Sequence, residues 1–209
     1  MKRKVFDIIV SAGGAMVVVA LLAAGSLLMW GYSFANENVH NELAAQQIYF
    51  PPKAAFEHPK AGTEITPSMI PSVSRFAGQQ LLTGEQARVW ANDFMAVHLR
   101  NMPYHGIYSK VSEAARKEPG NKQLAALETT VFQGTTLRSL LLDAYAFSTI
   151  AEVMFVSSII AYVLAFLMAI LVGLGIRHAQ RTSPEEELLE ARSRLATGGA
   201  GSTPHPAGA

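Results

Sequence analysis

Two long apolar runs dominate the hydrophobic pattern of the chain. Residues 8–36 and residues 153–176 contain no charged side chain. At a rise of 1.5 Å per residue, either run forms a helix long enough to cross about 30 Å of hydrocarbon. The pattern therefore predicts an all-α membrane protein with transmembrane helices at residues 8–34 and 152–176.

Basic residues flank the two runs on the sides that face the chain termini. These residues are Lys2, Arg3, Lys4, Arg177 and Arg181. Cytoplasmic flanks of transmembrane helices are enriched in Lys and Arg. We therefore expect residues 1–7 and 177–209 in the cytoplasm, and residues 35–151 as an extracytoplasmic helical domain of a plasma-membrane protein.

A cleaved signal peptide is the main alternative for the first run. The run follows a basic start and carries a small-x-small pattern at Ser33-Phe34-Ala35. The apolar region of a secretory signal is usually about 7–15 residues long, and this run is much longer. We expect it to be retained as a membrane anchor.

Between the runs, helical spacing of apolar residues alternates with proline. Val39, Leu43 and Ile48 extend the first helix beyond the membrane as far as Pro51-Pro52. Five prolines in residues 51–82 predict a Pro-rich, extended loop rather than a regular element.

A capping-box pattern at Thr83 and Gln86 predicts a helix over residues 84–101, ended by Pro103. Its apolar stripe comprises Ala87, Trp90, Phe94, Val97 and Met102. A lone helix of this length needs a packed apolar face to be stable. We expect Trp90 and Phe94 to form the core of the outer domain, against the helix that precedes the second span.

Three more helices follow from the same spacing and from capping residues. One covers residues 108–117, and another starts near Asn121 and leads into the second span, where Gly134 can interrupt it. In the tail, Ser183 caps a short helix that reaches about Leu195. The small, Gly- and Pro-rich residues from about 197 predict disorder.

Composition narrows the classes of function. Half of the 209 residues are hydrophobic, the formal net charge is +1, and there is no cysteine. A nearly neutral chain gives no reason to expect nucleic acid as a partner. The absence of cysteine excludes disulfides, thiolate catalysis and Cys-ligated metals. The lipid bilayer is the partner that the composition favours.

Histidines are the remaining metal-ligand candidates: His40, His58, His98, His105, His178 and His205. None forms a pair at the four-residue spacing that places two ligands on one helix face, and Pro103 breaks the register between His98 and His105. Asp93 and Glu85 lie near His98 on a polar helix face, where exposed charges are the ordinary case. We predict no catalytic, cofactor-binding or metal site, and no cofactor.

Glu152 lies at the outer end of the second span. An acidic residue at membrane depth can serve a proton relay. It can also reach the interface, or pair with Arg138 or with a cation of a partner. The sequence leaves its role open.

Small residues occupy every fourth position through the second span. They are Ser157, Ala161, Ala165, Ala169 and Gly173. Small residues let helix backbones approach closely in a membrane, and Ala12, Ala20 and Ala24 offer a shorter counterpart in the first span. The pattern predicts a helix-packing seam toward the first span, a second copy of the chain or another membrane protein.

Four segments of the chain resemble a known family. They are WGYSFANENV, LAAQQIYFP, ANDFMAVHL and LRSLLLDAYAFSTIAEV. The family comprises small two-span membrane proteins of actinobacteria that are often named aromatic ring-opening dioxygenase subunits, and the resemblance covers about residues 1–181. Extradiol ring-opening enzymes hold a non-haem iron with two His and a carboxylate, a set that the sequence does not place. The resemblance implies a plasma-membrane location more than an activity.

The combined pattern favours a non-enzymatic accessory or scaffolding subunit of a larger plasma-membrane assembly. One alternative is a two-span extracytoplasmic sensor without an output domain of its own. The other is an envelope enzyme with an unrecognised site, which would require Asp93, His98 and His105 to converge in a pocket.

Overall fold

The computed structural model describes residues 3–57, 59 and 65–181, and helices dominate this part of the chain. The expected tail helix, the disorder beyond about residue 197, His58 and His205 lie outside the described residues. The chain divides into two units. Met1–Ser26 and Ser158–Ala209 form the terminal unit, and Leu27–Ser157 form the central unit.

Two long helices supply the described part of the terminal unit. Helix α1 spans Arg3–Ala45 and helix α7 spans Lys122–Arg181, and both are long and apolar enough to cross a membrane. Within the terminal unit they are antiparallel, because Ser11 on α1 lies beside Gly175 on α7 and Gly25 lies beside Tyr162. Most large apolar side chains of this unit are exposed, which is typical of helices that contact lipid.

Short helices between α1 and α7 build the rest of the central unit. They are α2 (Lys53–Glu57), α3 (Ile70–Val73) with a 3-10 turn at Ser74–Phe76, α4 (Gly84–Val89), a π-helical segment (Trp90–Met95), α5 (Ala96–Asn101), a 3-10 turn (Pro103–Gly106) and α6 (Tyr108–Lys117). Helix α6 has the bounds that the sequence pattern predicts.

The hydrophobic core of the central unit draws on nearly all of these elements. Val39 and Leu43 come from α1 and Leu141 from α7. The segment rich in proline contributes Phe56, Ile65, Met69, Val73 and Leu81 to the same core, which also includes Phe50 just before it. The described residues of that segment therefore cover the core, with α2 and α3 as its regular elements, which the extended-loop expectation did not include.

Helix α1 ends at Ala45, six residues before the prolines that were expected to end it. Gln47 adopts a left-handed backbone with φ of 52°. The following residues form backbone hydrogen bonds with residues 79–81, from Leu81 N to Ile48 O (2.9 Å) and from Phe50 N to Gln79 O (2.9 Å). This long-range pairing, rather than the rigid ring of proline, takes the chain out of the helix.

Gly134 does not interrupt α7, contrary to expectation. The helix begins after Asn121, whose Oδ1 accepts hydrogen bonds from the backbone N of Gln123 and Leu124 as an N-cap. A Cβ at position 134 would lie 2.9 Å from Leu99 Cδ2. The glycine therefore serves the close packing of α5 on α7.

The predicted helix over residues 84–101 is present but irregular. Its start has the predicted capping box, in which Thr83 Oγ1 accepts from Gln86 N and Gln86 Oε1 accepts from Thr83 N. A π-helical turn at Trp90–Met95 then widens the helix. Arg138 of α7 binds this turn, donating from Nε to Ala91 O (3.2 Å) and from an Nη atom to Asn92 Oδ1 (2.8 Å).

Candidate functional site

The structure separates the five small residues predicted as a packing seam. Ala161 and Ala165 are buried, Ser157 is half-buried, and Ala169 and Gly173 are exposed. Each step of four residues rotates by about 40° beyond a full turn at 100° per residue, so a strict four-residue row winds off one helix face. The predicted row is thus only partly a contact between α1 and α7.

The contact row of α7 in the terminal unit alternates steps of three and four residues. Its buried or half-buried members are Ser158, Ala161, Ala165, Met168, Val172 and Gly175. On α1 the matching row is Ser11, Gly14, Val18, Leu21 and Gly25, whereas Ala12, Ala20 and Ala24 are exposed. Such alternation keeps one face on the partner helix. We name these two rows the helix seam, and a search for a 3.5-residue period would have found it.

Glycines and one polar pair hold the helix seam together. A Cβ on Gly14 would lie 2.6 Å from Val172 Cγ2, and a Cβ on Gly25 would lie 3.0 Å from the Tyr162 ring. Tyr162 donates its hydroxyl hydrogen to Ser26 Oγ (3.2 Å), a bond between the two helices. In an apolar environment, close packing and such bonds are what stabilise a helix pair.

Gly14→Leu is expected to destabilise the helix seam by about 1–3 kcal/mol, the usual cost of overpacking a close contact. Val172 is β-branched and cannot easily rotate away. The matched control is Gly13→Leu, because a Cβ on Gly13 has no neighbour within 4 Å. Thermal unfolding in mild detergent should show a lower midpoint for Gly14→Leu alone, and equal midpoints for the two variants would contradict this packing.

Phe94 and Trp90 lie at the packed side of the π-helical segment. Phe94 is 9% exposed, and Trp90 is partly buried against the same core. Their rings stack with centroids 4.3 Å apart, and Trp90 meets Phe50 edge-on at 5.1 Å. Leu141 and Leu142 of α7 belong to or adjoin this core, so both aromatic residues belong to the cluster that joins α7 to the shorter helices.

Asp93, His98 and His105 form no shared site in the described chain. His98 packs its ring on Phe94, with centroids 4.5 Å apart, and donates from Nδ1 to Phe94 O (2.8 Å). His105 is exposed in the turn before α6. Among the described residues, no three His, Cys, Asp or Glu side chains converge in a way that could hold a metal ion.

Glu85 is engaged in ion pairs rather than in chemistry near His98. Arg75 contacts its carboxylate at 2.6 Å, and Arg88 forms two hydrogen bonds of 2.8 Å with it. Chiefly through the bond from Arg88, and further through Arg75, these cations lower the pKa of Glu85 to about 2. The carboxylate is half exposed, so this contact contributes at most about 1 kcal/mol.

Arg138 and Glu152 do not pair. They are 14 positions apart on α7, which separates them by about 21 Å along the axis. Arg138 is instead bound to Ala91 and Asn92 on the π-helical segment. Glu152 is exposed and forms no ion pair with another described residue.

The turn before α6 has a backbone that the sequence pattern did not predict. Tyr104, His105 and Gly106 follow one another in the left-handed region, with φ of 57°, 56° and 62°. Only glycine adopts this conformation without a steric cost. Gly106 is also buried against the backbone of Leu99, where a Cβ would overlap the carbonyl. We call residues 103–108 the left-handed loop.

Side chains of the left-handed loop face solvent despite their apolar character. Tyr104 is 43% exposed, and Ile107 and Tyr108 are each 41% exposed. The ring of Tyr108 lies 5.6 Å from that of Phe132 on α7, which is itself exposed. Strained backbone and exposed aromatic rings therefore occur together in this loop.

The family resemblance of the four sequence segments stays a prediction. Those segments supply packing residues of the fold, such as Phe94 and Leu141 in the core and Ala151 on α7. Comparisons of the chain with protein families, with curated proteins and with solved structures give no match.

Proposed function

We propose that the chain is a non-enzymatic accessory or scaffolding subunit of a plasma-membrane assembly. In this proposal α1 and α7 span the membrane, both termini are cytoplasmic, and the central unit with its Pro-rich segment is extracytoplasmic and docks a protein partner. The left-handed loop is the observation that carries the proposal.

Backbone strain supports a binding role for the left-handed loop. A non-glycine residue held in the left-handed region costs on the order of 1–3 kcal/mol, and such residues concentrate at functional sites. Tyr104 and His105 are two of them in succession. The anchor is Gly106, whose contact with Leu99 holds the turn in place. This anchor holds the exposed side chains in one arrangement despite the strain, which reduces the ordering cost of binding.

The chemistry of the exposed side chains favours a protein as the partner. Tyrosine is enriched among the residues that dominate binding energy at protein interfaces, and exposed apolar patches mark such interfaces. Tyr104, Ile107 and Tyr108 form such a surface in one short turn. Ala169 and Gly173, exposed on α7 within the terminal unit, offer a second contact where a helix of the partner can approach closely.

The docking proposal is tested by purifying the tagged full chain from native membranes in mild detergent and quantifying bound proteins by mass spectrometry. Tyr104→Ala should lower the affinity for a stoichiometric partner by about 30-fold, the effect of losing about 2 kcal/mol of binding free energy at a hot spot. Tyr49→Ala is the matched control, since Tyr49 is an exposed tyrosine of the central unit outside the loop.

Retention of every stoichiometric partner by both Tyr104→Ala and Ile107→Ala would contradict docking through the left-handed loop. A chain that purifies alone, with a tightly bound metal ion and a turnover that depends on it, would favour the envelope enzyme. Normal membrane levels of the variants show that folding is intact.

Topology gives a separate prediction, since the chain has no cysteine and each introduced one is unique. Cysteines that replace Ala54 and Gly120 should react with a membrane-impermeant maleimide in intact spheroplasts, because both positions are exposed on the central unit. A cysteine that replaces Ala200 should react only after lysis, as the basic flanks indicate. Labelling at Ala200 in intact spheroplasts would contradict this topology.

A further inference from the structure

An apolar groove of about 450 Å³ lies between α1 and α7 within the central unit. Trp30, Phe34 and Ala35 line it from α1, and Phe147, Ile150 and Met154 line it from α7. Asn38 and Glu42, farther along α1, are the polar members of its wall. The volume is in the range of small-molecule sites.

The lining of the groove changes from apolar to polar along its length. Trp30, Gly31, Phe34 and Ala35 belong to the run without charges that ends at residue 36. Glu42 lies 12 residues beyond Trp30, which is about 18 Å along the helix. On α7, Met154 belongs to the second charge-free run and Ala144 lies opposite the polar end. One end is therefore at the level of hydrocarbon and the other at the level of water, under the membrane placement proposed above.

The rims of the groove are bulky, whereas its floor is small. Trp30 and Phe34 stack at 5.7 Å on one rim, and Phe147 forms the other; these three side chains are 67%, 60% and 59% exposed. On the floor, a Cβ on Gly31 would lie 3.0 Å from Met154 Sδ. Close association of helices needs small residues at the contact. Bulky rims hold a partner helix or a second copy away, but they admit a thin, flexible chain.

The polar end of the groove determines which lipid headgroup can bind there. Glu42 supplies a carboxylate and Asn38 an amide, and no Lys or Arg lines the described groove. Glu42 forms no ion pair with another described residue. A carboxylate accepts hydrogen bonds and attracts cations, and it repels a headgroup whose net charge is negative.

We propose that this groove binds a membrane lipid, with an acyl chain between the aromatic rims and a primary-amine headgroup at Glu42 and Asn38. The ammonium donates hydrogen bonds to the Glu42 carboxylate and to the Asn38 side-chain oxygen. The site does not involve the left-handed loop, and it can be tested on the purified chain without any partner.

Tryptophan quenching provides the test, because the chain has only two tryptophans. In a Trp90→Phe background, Trp30 is the sole emitter and lies on the rim of the groove. The full chain is reconstituted into vesicles that contain a minority of lipid with brominated acyl chains, which quench tryptophan on contact. In one series the brominated lipid is phosphatidylethanolamine and the bulk membrane is phosphatidylglycerol. In the other series the brominated lipid is phosphatidylglycerol and the bulk membrane is phosphatidylethanolamine.

Brominated phosphatidylethanolamine should quench Trp30 with about fivefold higher apparent affinity than brominated phosphatidylglycerol, the effect of one ion pair at an exposed carboxylate. Glu42→Gln should remove this preference and keep the remaining quenching. Ala35→Leu should fill the groove and reduce quenching by both lipids to the level of bulk contact, whereas Ala24→Leu, at an exposed position of α1, should change neither.

Equal quenching by the two lipids in the unsubstituted groove would overturn the proposal. So would an amine preference that survives Glu42→Gln, or quenching that is unchanged in Ala35→Leu. Because the readout uses no partner protein, these outcomes are independent of whether Tyr104→Ala loses a bound subunit.

Discussion

Gly106→Ala is expected to lower the free energy of unfolding of the central unit by about 2–5 kcal/mol. Two costs add. An alanine at a φ of +62° pays about 1–2 kcal/mol for the left-handed conformation. Its Cβ would also overlap the carbonyl of Leu99, and because this neighbour is backbone, overpacking adds about 1–3 kcal/mol.

Gly78→Ala separates these two costs. Gly78 has a φ of +72°, but a Cβ there has no neighbour within 4 Å. It should therefore lose only the conformational part, about 1–2 kcal/mol. Chemical unfolding in detergent, followed by Trp90 fluorescence in a Trp30→Phe background, measures both variants. Equal losses at the two glycines would show that the contact with Leu99 does not constrain the left-handed loop.

Phe94→Ala should destabilise the central unit by about 3–5 kcal/mol, the range for emptying a buried aromatic site. The lost ring contacts Trp90 on one side and His98 on the other. Its removal also takes away a contact between the core and the π-helical segment, which Arg138 binds. Thermal melting and limited proteolysis of the full chain both report this loss.

Phe132→Ala is the control for the previous variant. Phe132 is 53% exposed on α7, so its removal empties no cavity and should cost less than about 1 kcal/mol. A Phe94→Ala variant as stable as Phe132→Ala would place Phe94 outside the structural core, and would make it a candidate for partner contact.

Local signals in the sequence predict much of the fold. The charge-free runs predict the two long helices, and the pairing of Thr83 with Gln86 predicts the start of α4. Asn121 predicts the start of α7. The capping signals act through residues within a few positions of one another, where spacing alone determines the hydrogen bonds.

Tertiary contacts decide the features that the sequence did not predict. The end of α1 at Ala45 depends on pairing with residues some thirty positions away. The π-helical turn is bound by Arg138, and the left-handed loop is anchored by Gly106 on Leu99. Pro103 predicts a break but not the hand of the turn that follows. Local sequence signals do not predict the groove either, since its two walls are more than 100 positions apart in the sequence.

The left-handed loop also implies a trade-off between stability and recognition. Glycine adopts the conformation of Tyr104 freely, so Tyr104→Gly relieves about 1–2 kcal/mol of strain. The greater conformational entropy of glycine in the unfolded chain offsets about half of this gain in stability. The substituted protein should melt at the same temperature or slightly higher, while it loses the exposed ring. Random substitution followed by selection for thermal tolerance alone would therefore tend to erase the aromatic surface, and selection for assembly would restore it.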